Sequence, residues 1–305
     1  MKLENAPGRP PLGENPGQPP LTDVRHVKRK FLDIPYGNES PAQRFDLFLP
    51  DTGDGPFPLV IHIHGGGFAM GDKRDEFFGA YLTGIRQGFA VATIEYRLSG
   101  EAIFPAAVLD CRAAVRFIRE HAAEYLVDGD RFAVLGGSAG GNLAAMIGMN
   151  IPNGAFPGEE SLPLPATQPF VKAAVDQFGP MDFKAMDGQA RQNGLSHADH
   201  DQPFSPESKY LGIAVPDAPQ ALCEQANPAS YAGPFMAPFL VQHGTVDKLV
   251  PYEQSAGFVA ALRAKGFGDR VTFLPLRGAD HADKLFMTEE NLTIIFDFIK
   301  NHLQG

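Results

Sequence analysis

The chain has no tryptophan and only two cysteines, Cys111 and Cys223, in 305 residues. Two thiols outside any CxxC pair cannot make a disulfide framework, so their redox state is left open and no compartment is demanded. Basic residues are outnumbered, 26 against 36 acidic, for a formal charge of −10. A chain that repels phosphates on average is a poor partner for nucleic acid or for an anionic membrane surface. No apolar run approaches the roughly 18 residues of a membrane span. No apolar stretch follows Lys2 as it would in a secretory leader, so the expectation is a cytoplasmic protein. What the chain has in quantity is 33 glycines and 27 prolines, the profile of many turns and not of a helical bundle.

Residues 1–25 read as a separate Pro/Gly-rich arm: six prolines and three glycines fall within the first 20 positions, giving a flexible or polyproline-like segment. From 26 to 305 strand-length apolar segments alternate with segments of helical period. Strands are expected at 26–34, 44–49, 58–64, 89–96, 131–136, 171–178, 238–243 and 270–276. The middle ones, such as LVIHIH and FAVATIEY, are nearly continuous apolar runs, as in strands buried on both faces of a parallel sheet. The first two alternate and read as antiparallel edge strands. Apolar positions 108, 111, 115, 118, 122 and 126 step by three or four, giving a helix over 106–125, and 292–303 repeats the pattern. This is an α/β protein with a mostly parallel, eight-stranded sheet flanked by helices, in one domain. The stretch of about 180–236 has no convincing strand and is too long for a bare loop. It reads as a cap insertion over the C-terminal edge of the sheet, where ligands bind in this architecture.

Two glycine-rich turns carry chemistry. In RFAVLGGSAGGN a buried strand runs into Gly136-Gly137-Ser138-Ala139-Gly140 and then into a helix, the context that a G-x-S-x-G nucleophile elbow requires. Such a pentapeptide is expected by accident about 0.1 times at this chain's residue frequencies, and a plain structural turn is the competing reading. The second turn, His64-Gly65-Gly66-Gly67-Phe68, follows the strand LVIHI and has about 0.01 chance occurrences. Three glycines let the backbone approach a reacting atom with N–H groups free, as an oxyanion formed in acyl transfer needs. A phosphate cradle is the alternative, but the Lys-Ser/Thr of a P-loop does not follow.

A serine hydroxyl needs a base and an orienting acid. On an elbow-bearing sheet these follow the serine in the order acid, then histidine, each after a late strand. PFLVQHG leads into Asp247, and RVTFLPL leads into His281. Asp182, after the sixth strand, is the rival acid, and Asp280 reads as a loop residue. His62 and His243 lie inside strands and read as core histidines; His64 reads as a brace for the glycine loop that begins with Gly65. His121 and His302 lie in helices. The cluster Ser196–Asp201 has two histidines three apart with flanking carboxylates, but it sits in a polar stretch without a distant partner cluster, so a solvated loop is expected and no metal.

HGGGF, GGSAGG, HGTVDKLVP and GADH, in this order, resemble the carboxylesterase and lipase branch of the α/β-hydrolase superfamily. LDIPYGNESPAQRFDLFLP, EYRLSGEAIFPAAVLDCRAAVRFIR, SPESKYLG and ANPASY are similar, more narrowly, to bacterial esterases related to bifunctional acetylxylan/feruloyl esterases. The resemblance covers about residues 28 to 303. It implies the α/β-hydrolase fold, with Ser138 as nucleophile, His281 as base and acid, Asp247 as the orienting carboxylate, and an oxyanion hole of the Gly66, Gly67 and Ala139 N–H groups. It implies hydrolysis of small carboxylic esters, acetyl or hydroxycinnamoyl esters of plant cell-wall type being favoured, with a small-molecule or oligosaccharide substrate and no cofactor. A general short-chain carboxylesterase is the alternative; a peptidase-like hydrolase or a catalytically dead binding module is weaker. The family often carries a tryptophan in the HGGG region and another in the FPA…RFIR helix, where this chain has Phe68 and Phe117. That leaves the acyl pocket open, as the sequence leaves the oligomeric state open, a homodimer included.

Overall fold

The computed structural model describes residues 21–156, 159, 170–195 and 198–304. Eight strands form one sheet: β1 (Lys30–Pro35), β2 (Arg44–Phe48), β3 (Phe57–Ile63), β4 (Ala90–Ile94), β5 (Val127–Gly137), β6 (Ala173–Gln177), β7 (Phe239–Gly244) and β8 (Val271–Leu276). Their order is β1-β2-β4-β3-β5-β6-β7-β8. β2 pairs antiparallel with both β1 and β4, and every pairing from β4 through β3 to β8 is parallel. The expectation of two antiparallel edge strands is corrected in one respect: β2 has neighbours on both sides, and of the two only β1 is at an edge, with β8 at the other end of the sheet.

The continuous apolar runs are explained by two-sided burial. In β3, Ile61 faces a core that includes Val108, Leu143 and Phe258. Its neighbour Val60 faces the opposite core with Leu135, Ile295 and Phe296. The first core lies under α2 (Ala106–Glu120), α3 (Ala139–Gly148) and α7 (Glu253–Ala264); the second lies under α8 (Glu289–Leu303). Each such fully buried side chain contributes about 1.5–3 kcal/mol of transfer free energy. α2 stops at Glu120, earlier than its periodicity suggests, because the chain turns there through His121–Leu126 and enters β5. α1 (Glu76–Tyr81) starts at Asp75, whose side chain accepts the Phe78 N–H.

Between β6 and β7 the described residues hold no strand. They form α4 (Phe183–Gln192), α5 (Pro206–Leu211), α6 (Gln220–Ala226) and two short 3-10 turns. Ser205 caps α5, with a proline in the first turn and Gly212 closing the end in the left-handed region. Of the arm expected over 1–25, only Leu21–Arg25 falls among the described residues. There the chain is held to the body: Thr22 donates its N–H to Arg74 O and its hydroxyl to Asp75 O, and Val24 packs with Phe48 and Phe78. Because β3 through β8 run parallel, the turns after β3, β5, β7 and β8 share one edge of the sheet.

Candidate active site

Ser138 occupies the turn between β5 and α3 with φ 56° and ψ −127°, a strained conformation for a residue with a β-carbon. It is over-determined from both sides. Its N–H donates to Gln177 O of β6 at 2.9 Å, and its carbonyl accepts the N–H groups of Gly141 and Asn142. The turn closes this tightly only because of its glycines: a β-carbon on Gly140 would lie 2.1 Å from Ile63 O. Ser138 Oγ is 3.1 Å from His281 Nε2, and His281 Nδ1 is 2.8 Å from Asp247 Oδ2. The loops after β7 and β8 thus bring Asp247 and His281 to the serine, although 143 residues separate serine and histidine in the chain. The His281 ring meets the edge of Phe178 at 4.8 Å.

Asp247 is buried, and all its acceptor positions are engaged. Oδ1 takes the N–H groups of Leu249 at 2.9 Å and Val250 at 2.8 Å; Oδ2 takes His281 and lies 3.3 Å from His243 Nε2. Burial opposes its charge, but the His243 and His281 donors outweigh burial and hold the carboxyl well below the usual range. The rival acid is elsewhere: Asp182 is exposed at the N-terminus of α4. Asp280 pairs with Lys248 at the surface.

The glycine loop lies beside the serine. Gly66 has φ 107°, and a β-carbon there would lie 2.1 Å from Met70 O. Among the described residues the N–H groups of Gly66 and Gly67 have no acceptor, while Ala139 opens the first turn of α3. His64, fully buried, anchors the loop: Nε2 lies 3.1 Å from Glu95, Nδ1 2.7 Å from Gly65 O, and the ring stacks on Tyr96 at 4.3 Å. Burial works against its charge, but Glu95 prevails and raises its affinity for a second proton.

Ser138, His281, Gly66, Gly67 and Ala139 all line one cavity of about 640 Å³. The β6–β7 segment supplies a wall through Pro180, His200, Phe204 and Glu207, and Leu21 adds to it from the chain's N-terminal side. Of the two phenylalanines standing where tryptophan is frequent, Phe68 lines the cavity, stacked on Tyr210 at 3.9 Å. Phe117 does not; it packs on His121 and Phe45. His62, a buried strand histidine bonded to Thr93, is also among the residues lining the cavity. Its burial holds it well below its ordinary value, and Asp75 beside it is pushed up to about 6.

One expectation is overturned. The polar cluster at 196–201 is not a solvated loop at His200, which is buried. His200 Nδ1 lies 3.2 Å from Glu207, Nε2 3.0 Å from Leu249 O, and its N–H donates to Asp187. Glu207 lies seven residues further along and on another element, so no local signal linked them. Ser196 and His197 lie outside the described residues, and among the described residues no cluster of three His, Cys, Asp or Glu side chains fits a metal. His121 and His302 bond carbonyls of their own helices. Among the described residues no helix is long and apolar enough to cross a membrane.

A mostly parallel sheet flanked by helices, with a strained serine at a strand–helix elbow, defines the α/β-hydrolase fold. Within it the chain belongs to the BD-FAE family, whose model matches residues 45–262. Esterase LipQ of Mycobacterium tuberculosis is 31% identical over 87% of this chain and 60% of its own length. The chain spans about half to three fifths of the length of the curated relatives it matches. Among solved structures, a bifunctional GH43-CE of Bacteroides eggerthii is 30% identical at a TM-score of 0.77, over 90% of this chain and 35% of that one. A truncated carbohydrate esterase from gut microbiota shares the fold at 23% identity and a TM-score of 0.77, over 93% of this chain and all of that one.

Proposed function

We propose that the chain is a serine carboxylic ester hydrolase in which Ser138, His281 and Asp247 form the catalytic triad. The observation that carries this reading is the unbroken path from Ser138 Oγ through both nitrogens of His281 to Asp247 Oδ2, at 3.1 and 2.8 Å. His281 accepts the serine proton at Nε2 as Oγ attacks the ester carbonyl, and Asp247 stabilises the imidazolium that results. The N–H groups of Gly66, Gly67 and Ala139 receive the oxyanion, an electrostatic contribution of roughly 3 kcal/mol per donor. His281 then passes its proton to the leaving alcohol, and water, activated by the same nitrogen, releases the acid.

Acetyl or hydroxycinnamoyl esters of plant cell-wall type are the favoured substrates. Support comes from the match to the BD-FAE family over residues 45–262 and from the likeness to the bifunctional GH43-CE of Bacteroides eggerthii, 30% identical over 90% of this chain. The second reading, a general short-chain carboxylesterase, draws on curated relatives named simply as esterases. In either, residues 180–236 act as a cap that selects the ester. Ser138→Ala is expected to abolish ester turnover with an unchanged melting temperature; wild-type rates in that variant would refute the triad. A panel from acetyl and butyryl esters to methyl ferulate and acetylated xylan then separates the two substrate readings. Turnover of the acetyl and butyryl esters with none of methyl ferulate or acetylated xylan would remove the cell-wall reading.

A further inference from the structure

We infer that His243 is a positioning residue of this site: it shares Asp247 Oδ2 with His281 and links that oxygen, through Ser255, to Asp176 on β6. The inference rests on the reading of Ser138, His281 and Asp247 as the catalytic set. His243 sits near the end of β7 with no exposed surface. Its Nε2 is 3.0 Å from Val250 O and 3.3 Å from Asp247 Oδ2. A carbonyl oxygen only accepts, so Nε2 carries a proton and its N–H is divided between Val250 and Asp247. On the other side Nδ1 is 2.8 Å from Ser255 Oγ of α7, and Ser255 Oγ is 3.5 Å from Asp176 Oδ2. Asp176 is fixed in turn by the Gly179 N–H at 3.0 Å.

A buried histidine with satisfied nitrogens could be ordinary core. What separates His243 from that reading is where its proton points. Asp247 already spends Oδ1 on two backbone N–H groups; with His243 and His281 both on Oδ2, the carboxylate cannot rotate without breaking bonds at each oxygen. Its plane is therefore set before a substrate arrives, and it is set toward His281 Nδ1. His243 also draws part of the negative charge of Oδ2 to itself. Without that donor, Asp247 would hold a protonated His281 more tightly, and the base would need a higher pH to become free. The other groups that face His243 are few. Tyr252, immediately before α7, presents its ring at 5.8 Å, and β8 places Pro275 opposite His243 in register. Among the described residues the titratable groups around it are therefore Asp247, with His281 on the same oxygen, Asp176 and Tyr252.

Either protonation state of the chain points the same way. With a neutral ring, the Ser255 hydroxyl donates to Nδ1 and sharpens Nε2–H as a donor. With a doubly protonated ring, Nδ1–H donates to Ser255, which donates to the Asp176 carboxylate. In both, cutting the Ser255 link weakens what His243 gives to Asp247.

The test uses the full chain and a short-chain nitrophenyl ester. Fluorophosphonate labelling of Ser138 comes first: an unlabelled wild type would defeat the catalytic reading itself, independently of His243. With labelling established, His243→Leu is expected to lower kcat about 10- to 100-fold, the usual effect of removing a group that orients a working side chain. KM should stay within about twofold, and the acidic limb of the kcat/KM profile should move to higher pH. His243→Gln, whose amide can put an N–H near the place of Nε2, should restore both rate and limb in large part. A folded His243→Leu with the wild-type limb overturns the proposal, as does equal loss in the Leu and Gln variants. Should His243→Leu not fold, Ser255→Ala decides: a smaller upward move of the limb supports the inference, and an unmoved limb overturns it.

Discussion

Asp176 lies in the middle of the sheet, on β6 between β5 and β7, and is fully buried. Among the described residues it pairs with no Lys or Arg; its hydrogen-bond partners are the Gly179 N–H and the Ser255 hydroxyl, with His243 beyond them. Burial therefore dominates and pushes its carboxyl from an ordinary 3.8 up to about 7. A raised carboxyl means that the native state keeps a proton which the unfolded chain has released. Wild-type stability must then fall as pH climbs from about 4 to about 7, and the full cost is present above that. At about 1.4 kcal/mol per pH unit of difference, the cost is roughly 1.7 kcal/mol at pH 5 and roughly 4 kcal/mol at pH 8. Asp176→Asn keeps an oxygen for the Gly179 N–H and removes the titration. The variant should therefore gain about 2.5 kcal/mol on the wild type between pH 5 and pH 8. For a chain of this length that is about 4 °C in melting temperature. Calorimetry of both proteins across this range measures the gap directly. A gap that stays constant within about a degree would show that Asp176 is ionised throughout, and the burial argument would fail.

Two further outcomes follow from the geometry around the serine. Gly66→Ala puts a methyl group 2.1 Å from Met70 O at a φ of 107°. The loop must move, and kcat should drop about 10²- to 10³-fold with labelling of Ser138 still detectable; a loss confined to KM would argue against an oxyanion role for this loop. Glu95→Gln leaves His64 buried without its counter-charge and should cost about 3–5 kcal/mol in denaturant unfolding. Because His64 is raised in the folded state, that pair stabilises fully below the ordinary histidine value and is lost as pH rises through the folded one. The penalty should accordingly shrink as pH rises above the ordinary histidine range, and a pH-independent penalty would refute the charged pair.

The fold was legible because two-sided burial writes itself into composition: only a strand packed on both faces reads as LVIHI or FAVATI. The elbow and the glycine loop were legible for a different reason. Their backbones pass so close to neighbouring carbonyls that a side chain at Gly140 or Gly66 is excluded, and that leaves a glycine pattern in the sequence. Asp247 and His281 could be found by counting strands, since the turn after each parallel strand falls on the same edge. His200 and Glu207 could not. Their pairing depends on the path of 180–236, where short helices leave no fixed period and the partners come from different elements. His243 was half legible: a histidine inside an apolar strand announces burial, but the aim of its Nε2–H depends on a carboxylate in the following turn.

Those two kinds of structure meet at Phe68 and Gly67. Phe68 follows the glycine loop directly, yet its ring stacks at 3.9 Å on Tyr210, which belongs to α5 of the β6–β7 segment. A β-carbon on Gly67 would lie 2.9 Å from Pro206, the first residue of the same helix. The wall proposed to select the ester therefore rests on the loop that would hold the oxyanion. A larger substrate that displaces α5 also disturbs donors whose placement matters to a few tenths of an ångström. Selectivity in this molecule should then register in kcat as well as in KM, because the poorer ester spends its binding energy on pushing back the support of the oxyanion loop.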